Sequence, residues 1–145
     1  MKIIIEDPSP GEEEHIVVKY HQLSPELTDV INRFKSQSNA LFANIEDEIY
    51  QVDPKNVLYI ESIDNKVFLY SVKKVYESKQ KLYELAEVLA GFDFMRISKS
   101  AIINLRKIKS LSPAFSGRME AKMVNDEKII ISRQYVHELK KRLGI

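Results

Sequence analysis

From Ala40 onward the chain is punctuated into short apolar runs, "ALFANIE", "EIYQV", "NVLYIES" and "KVFLYSV", each closed by turn formers such as Glu46-Asp47, Asp53-Pro54 and Asp64-Asn65. Runs of this kind, rich in β-branched and aromatic residues and too closely spaced for crossover helices, pair as antiparallel neighbours. Farther on, "RMEAKMV", "ND" and "EKIIIS" read as a strand, a tight turn and a strand. This pattern commits most of the chain to an antiparallel sheet or to a barrel-like closure of one.

Three amphipathic stretches read as helices. In "LSPELTDVINRFKSQSN", Ser24 is placed to cap, Pro25 to fill the first helical position, and Leu27, Val30, Ile31 and Phe34 share one face. A second helix is expected from about Lys79 to Ala90, with Leu82, Leu85, Ala86 and Leu89 on one side and Gly91 as its stop. Ser132 opens the last, with Val136, Leu139 and Leu143 on the apolar side and Lys140, Lys141 and Arg142 near the end, where the helix dipole favours cations. At the N-terminus "MKIIIED" and "HIVVKYH", parted by "PSPGEEE", predict a small hairpin. The expected fold class is mainly β (α+β). It comprises an antiparallel, sheet- or barrel-like domain with peripheral helices over residues 38–145, preceded by an acidic hairpin-and-helix annex over residues 1–37, with the polar "KSQSN" as the joint.

Charge divides in the same way. The formal net charge of +1 conceals 11 acids and 4 bases in residues 1–53 against 10 acids and 18 bases in residues 54–145. Such asymmetry points to a polyanion-binding half, or to two oppositely charged faces that attract each other. The densest part is "FMRISKSAIINLRKIKSL", Phe94–Leu111, and from Phe94 to Met119 there are six bases, Arg96, Lys99, Arg106, Lys107, Lys109 and Arg118, without an acid. Lysine and arginine interspersed with serine and asparagine suit phosphate oxygens, the cations attracting and the short polar groups fixing position. Two further polar sets join them: "DNK" (Asp64, Asn65, Lys66) at a hairpin tip and "SRQY" (Ser132, Arg133, Gln134, Tyr135) at a helix start, where free N–H groups favour an anion. Each set also has a plainer reading: Lys66 as a solvated turn residue, Arg133 paired with Glu138, and "AIINLRKIKSL" as an amphipathic helix. Phe68 and Tyr70 alternate on one strand face, as a base-stacking platform or as core.

Other chemistry lacks its residues. There is no cysteine, so disulfides, thiolate metal sites and cysteine nucleophiles are excluded. His15, His21 and His137 stand in no metal-ligand spacing, and no glycine-rich phosphate loop or G-x-S-x-G elbow occurs. The chain is read as a non-enzyme without cofactors. Because no window approaches the roughly 18 apolar residues of a spanning helix, and the opening run breaks at Asp7 and Pro8, the expected location is the cytoplasm.

"NVLYIESIDNKVFLYS", "KLYELAEVL", "FMRISKSAIINLRKIKSL" and "KIIISRQYVHELKKRL", in that order, resemble the LytTR family of bacterial DNA-binding domains from about Leu41 to Leu143. The resemblance implies a mostly β domain that inserts loop side chains into the major groove of duplex DNA. It places Asn65, Lys66, Arg96, Ser98, Lys99, Ser100, Ser132, Arg133, Gln134 and Tyr135 at the DNA. Lys99 and Gln134 stand where the family commonly reads bases, and Arg96, Ser100 and Arg133 where it holds phosphates or supports loops; Asn104 matches a structural position. Ser98 replaces the histidine of many members, and Val67 stands where a polar reader is common. The resemblance further implies a stand-alone transcription regulator without a receiver domain and an inhibitory membrane-protein partner, and a homodimer on repeated half-sites of DNA is expected. Two alternatives from the residues themselves are an RNA or single-strand binder stacking bases on Phe68 and Tyr70, and a protein-interaction module with a basic docking edge.

Overall fold

A computed structural model of the protein describes residues 2–36 and 41–145. In chain order the elements are α1 (Pro25–Ser36), β1 (Leu41–Ile45), β2 (Glu48–Val52), β3 (Val57–Ile63), β4 (Lys66–Ser71), β5 (Val75–Ser78), α2 (Leu82–Val88), β6 (Phe94–Arg96), β7 (Ala101–Asn104), β8 (Ile108–Pro113), β9 (Met119–Met123), β10 (Lys128–Ile131) and α3 (Arg133–Leu143). The strands form a seven-stranded sheet, in the order β2-β1-β5-β4-β3-β7-β6, and a three-stranded sheet, β10-β9-β8. All pairings are antiparallel.

The mainly antiparallel β class with three helices is as the sequence predicts, but the barrel-like closure is not. The large sheet stays open, with β2 and the three-residue β6 at its edges. Its faces are covered instead of joined. Along β6 and β7, Phe94 and Ile102 enter one apolar cluster with Leu82, Leu85 and Leu89 of α2, while Met95 and Ile103 enter a second with Met119, Ala121, Met123 and Ile131 of the small sheet and Leu139 of α3. That division follows from the alternation of side chains along a strand. In β3 the alternation is broken: Val57 and Ile60 belong to the first cluster, whereas Leu58 and Tyr59 both belong to the second. The cause is a register irregularity between Val57 and Tyr59 against β4, where the extra residue of a bulge turns two successive side chains to one face. Because both faces of the sheet are covered, "VLYI" is buried throughout.

Asn104 is buried at the end of β7. Its Nδ2 donates to the Val57 carbonyl at 2.8 Å, and its Oδ1 accepts from the Arg106 N–H at 3.1 Å. Both ends of the amide are satisfied, and β7 is tied to the start of β3. The segment "AIINLRKIKSL" is therefore strand, short 3-10 turn and strand, not an amphipathic helix.

Three further expectations need correction. The N-terminal hairpin is not formed: residues 2–24 contain a turn at Pro10-Gly11 but no strand. Ile3, Ile4, Ile5, Ile16 and Val17 are exposed, and two lone strands with no third surface to bury against are marginal in water. Helix α2 is shorter than predicted, beginning after Lys81, whose N–H donates to Glu84 Oε1 at 3.2 Å. It ends at Val88 with Leu89 as its C-cap, so Gly91 lies beyond it in a turn and is not its cap. Helix α1 does begin as predicted, with Ser24 Oγ accepting from Leu27 N–H at 3.2 Å. The end of the "KSQSN" joint lies outside the described residues.

Candidate nucleic-acid interface

Three loops meet at one end of the large sheet, and backbone hydrogen bonds hold them there. Between β3 and β4 the Asp64-Asn65 turn has positive φ at both residues, 50° and 63°, the two-residue hairpin geometry that asparagine and aspartate tolerate. The last turns of β3 then reach the neighbouring loop, Ser62 N–H donating to the Ser100 carbonyl at 2.8 Å. Ile97 N–H donates to the Ala101 carbonyl at 3.0 Å, closing the 98–100 loop, and Ser132 N–H donates to the Ile97 carbonyl at 2.9 Å, bringing the start of α3 alongside. The sequence-predicted residues are thus gathered on one edge although they span positions 65 to 135.

Their individual settings differ. Arg96 is a brace: its Nε donates to the Ser98 carbonyl at 3.0 Å and its Nη2 to the Lys99 carbonyl at 2.6 Å. Ser98 Oγ accepts the Ser100 N–H at 3.2 Å. These bonds shape a closed loop that leaves Lys99 and Ser100 outward and exposed. Asn65, Lys66, Arg133 and Gln134 are also exposed, whereas Ser98, Ser132 and Tyr135 are half-buried. Tyr135 packs against the second apolar cluster, which fits a role in seating α3. Ser132 is extended and its hydroxyl makes no capping bond, and while Tyr135 N–H donates to the Ser132 carbonyl at 2.9 Å, a helix start left without a side-chain cap, with the dipole behind it, favours an anion. Val67 is in the core at 4% exposure and is unable to read a base.

A fourth loop, which sequence reasoning did not assign to the site, joins this edge. Between β8 and β9, Ser116 and Gly117 both take positive φ, 62° and 75°. A Cβ at Gly117 would stand 3.0 Å from Cδ and 3.2 Å from Cγ of Arg133, so the glycine admits the arginine stem. The same loop exposes Phe115 and Arg118, with Arg118 Nε donating to the Phe115 carbonyl at 3.1 Å. In the sequence this loop is marked by Arg118, the last base of the run from Phe94 to Met119, and by the turn pair Ser116-Gly117; nothing in the linear pattern places it beside Arg133. Loops 64–66, 98–100, 115–118 and 132–135 together carry the exposed cations Lys66, Lys99, Arg118 and Arg133 against one carboxylate, Asp64.

The basic run is not a single patch. Strand β7 carries it from one end of the sheet to the other, leaving Arg96 and Lys99 at the loop edge and Arg106, Lys107 and Lys109 at the far end. There Arg106 pairs with Asp93, and Lys109 with Asp126 at 3.0 Å. The hydrogen bond and charge of Lys109, then the charge of Lys122, hold the Asp126 carboxyl below its usual range. Lys107 shares a concavity with Lys73 and Lys74. Nor is Tyr70 free to stack on a base: its ring lies 4.4 Å from that of Tyr59 at 11° between planes. Burial, followed by the charge of Glu127, pushes the Tyr59 hydroxyl well above its ordinary range; burial, then the charge of Glu61, raises that of Tyr70. Both tyrosines are neutral packing groups.

Among the described residues no cluster of histidine, cysteine, aspartate or glutamate suits a metal ion, and no helix is long and apolar enough to cross a membrane. Residues 47–144 match the family model of the LytTr DNA-binding domain. Among solved structures, a LytTr DNA-binding domain from Bacillus cereus superposes with a TM-score of 0.70 at 25% identity, covering 74% of this chain and 99% of that one. The chain is 26% identical over 140 residues to the sensory transduction protein LytT of Enterococcus faecalis and 29% over 144 residues to that of Bacillus anthracis. These matches cover 94% of the chain but only 58% of the relatives' length. An uncharacterized HTH-type transcriptional regulator of Staphylococcus aureus is 27% identical over 92% of this chain and 91% of its own.

Proposed function

The chain belongs to the LytTR family of DNA-binding domains, and from that premise we propose that it is a cytoplasmic, non-enzymatic transcription regulator that reads specific duplex sequences through loop side chains in the major groove. The observation that carries this reading is the convergence of four loops bearing Lys66, Lys99, Arg118 and Arg133 on one edge of the sheet. Lys99 and Gln134 are its base readers, because each stands exposed at the tip of a rigidly held element. Both can make the major-groove hydrogen bonds that distinguish bases. Arg133, Lys66 and the open start of α3 take phosphates, with Ser100 and Ser132 beside them and Arg96 holding the loop. Residues 38–145 form the DNA-binding unit and residues 1–37 an acidic annex. Two protomers occupy repeated half-sites, and a membrane protein restrains the regulator.

The stacking alternative is weakened by the engagement of Tyr70 with Tyr59, and the protein-docking alternative by the family membership. Substitution separates reading from holding. Lys99→Ala and Gln134→Ala are each expected to cost about 1–3 kcal/mol on the specific site and to relax discrimination at one base pair. Arg133→Ala weakens specific and random duplexes alike. Equal losses on both kinds of DNA for all three variants would refute the assignment of readers.

A further inference from the structure

Among the described residues, half of the exposed large apolar side chains lie in the first 36 positions: Ile3, Ile4, Ile5, Ile16, Val17, Val18, Tyr20, Leu23, Val30 and Phe34. Exposure is 83%, 67% and 92% along Ile3, Ile4 and Ile5. Isolated exposed apolar residues are ordinary, but consecutive β-branched ones in a segment of high strand propensity make an unpaired strand in search of an edge. The turn between the two runs is already folded, with Glu12 N–H donating to the Ser9 carbonyl and Ser9 N–H to Glu12 Oε2, each at 2.9 Å. What the runs lack is a third strand.

We infer that this segment is a dimerisation arm whose occupant is the same segment of a second copy. The charge pattern selects that partner. In "KIIIE" a cation at Lys2 and an anion at Glu6 flank three isoleucines. When two copies pair antiparallel about a two-fold axis through Ile4, Lys2 faces the partner's Glu6, Ile3 faces the partner's Ile5, and Ile4 faces the partner's Ile4. Every cross-strand pair is then apolar with apolar or opposite in charge, the combinations that stabilise a ladder. A slip by one residue sets Ile3 against Glu6 and removes the match. The arrangement is isologous, as a closed dimer requires. The second run, Ile16–Tyr20, flanks this pair on each side, so the expected hairpin forms only within a four-stranded sheet shared by two chains. This goes beyond the paired protomers proposed on DNA, since it assigns the contact to the annex and operates without DNA.

The absence of cysteine from the chain makes the test direct. In full-length Ile4→Cys the two Cα atoms lie about 4.5–5.5 Å apart across the axis, within the range for a disulfide. In Lys2→Cys they stand roughly 14 Å apart by strand rise. Under mild oxidation without DNA, Ile4→Cys is expected to form covalent dimers at least about tenfold faster than Lys2→Cys or than Ser112→Cys on the exposed end of β8, with Lys2→Cys and Glu6→Cys cross-linking only when mixed. By sedimentation, Lys2→Glu weakens the dimer about tenfold or more, as two like-charge pairs replace two opposite ones, and Lys2→Glu combined with Glu6→Lys restores it. A monomeric wild-type chain, or a dimer that cross-links at all positions at the same rate and ignores both charge variants, would overturn the inference. Either result leaves the DNA reading standing, because the same samples are assayed for duplex binding separately.

Discussion

Raising the salt from about 50 to 200 mM is expected to weaken binding to the chain's operator by roughly 10³- to 10⁴-fold, corresponding to a log–log slope of about −5 to −7. The number follows from the loop edge. Each protomer presents Lys66, Lys99, Arg118 and Arg133 with no carboxylate partner among the described residues. On the proposed arrangement of two protomers per site, about six to eight phosphates are neutralised, and each neutralised phosphate adds nearly one unit of slope through counterion release. Arg106 and Lys109, though part of the same basic run, add nothing, because they sit at the far end in pairs with Asp93 and Asp126. Arg106→Ala and Lys109→Ala should leave the slope unchanged, whereas Lys66→Ala lowers it by about one to two units per dimer. Anisotropy titrations across a salt series measure both. A slope that falls equally for the two sets would mean that the run acts as a diffuse patch.

Truncating Leu139 to alanine is expected to lower stability by about 3–4 kcal/mol, in the range for fully buried leucines whose cavity does not collapse. Leu139 is fully buried, and it is the α3 residue in the second apolar cluster's buried set, facing Met119, Met123 and Ile131 of the small sheet. Around it the helix is held by the Ser132–Ile97 backbone bond and by Arg142 Nη1 donating to the Phe94 carbonyl at 2.9 Å. Those bonds keep α3 near its place, so the variant should unfold at a lower denaturant concentration while its DNA affinity well below the transition falls far less than that of Gln134→Ala. Val136→Ala, half-buried on the same side, should cost only about 1 kcal/mol. A loss below about 1 kcal/mol for Leu139→Ala would mean that α3 is not part of the folded unit. Denaturant melts followed by far-UV circular dichroism give the comparison.

The antiparallel sheet was legible because its strands announce themselves by β-branched content and by the turn pairs between them, and Asp64-Asn65 occupies the two-residue turn that such a pair implies. The bulge in β3 was not, since "VLYI" looks the same whether its side chains alternate or not. The N-terminal hairpin failed for the converse reason: local propensity was present in Ile3–Ile5 and Ile16–Val18, but propensity without a third strand does not fold. At the site, the run from Phe94 to Leu111 suggested one basic patch because charge is counted along the chain, while β7 carries its two halves to opposite ends of the sheet. The proximity of loop 115–118 to Arg133 depends on a contact between Gly117 and the arginine stem. A linear sequence does not encode such a contact in any pattern.

The most direct test of sequence-specific DNA reading is fluorescence anisotropy of the purified chain with duplex DNA from its own upstream region, in competition with random duplex and with single-stranded RNA at near-physiological salt. Specific readers on a basic edge predict at least about a 10³-fold preference for the upstream duplex over random duplex and no preference for the unpaired strand. Equal, weak binding to all would contradict the account, reducing Lys66, Lys99, Arg118 and Arg133 to a generic polyanion surface.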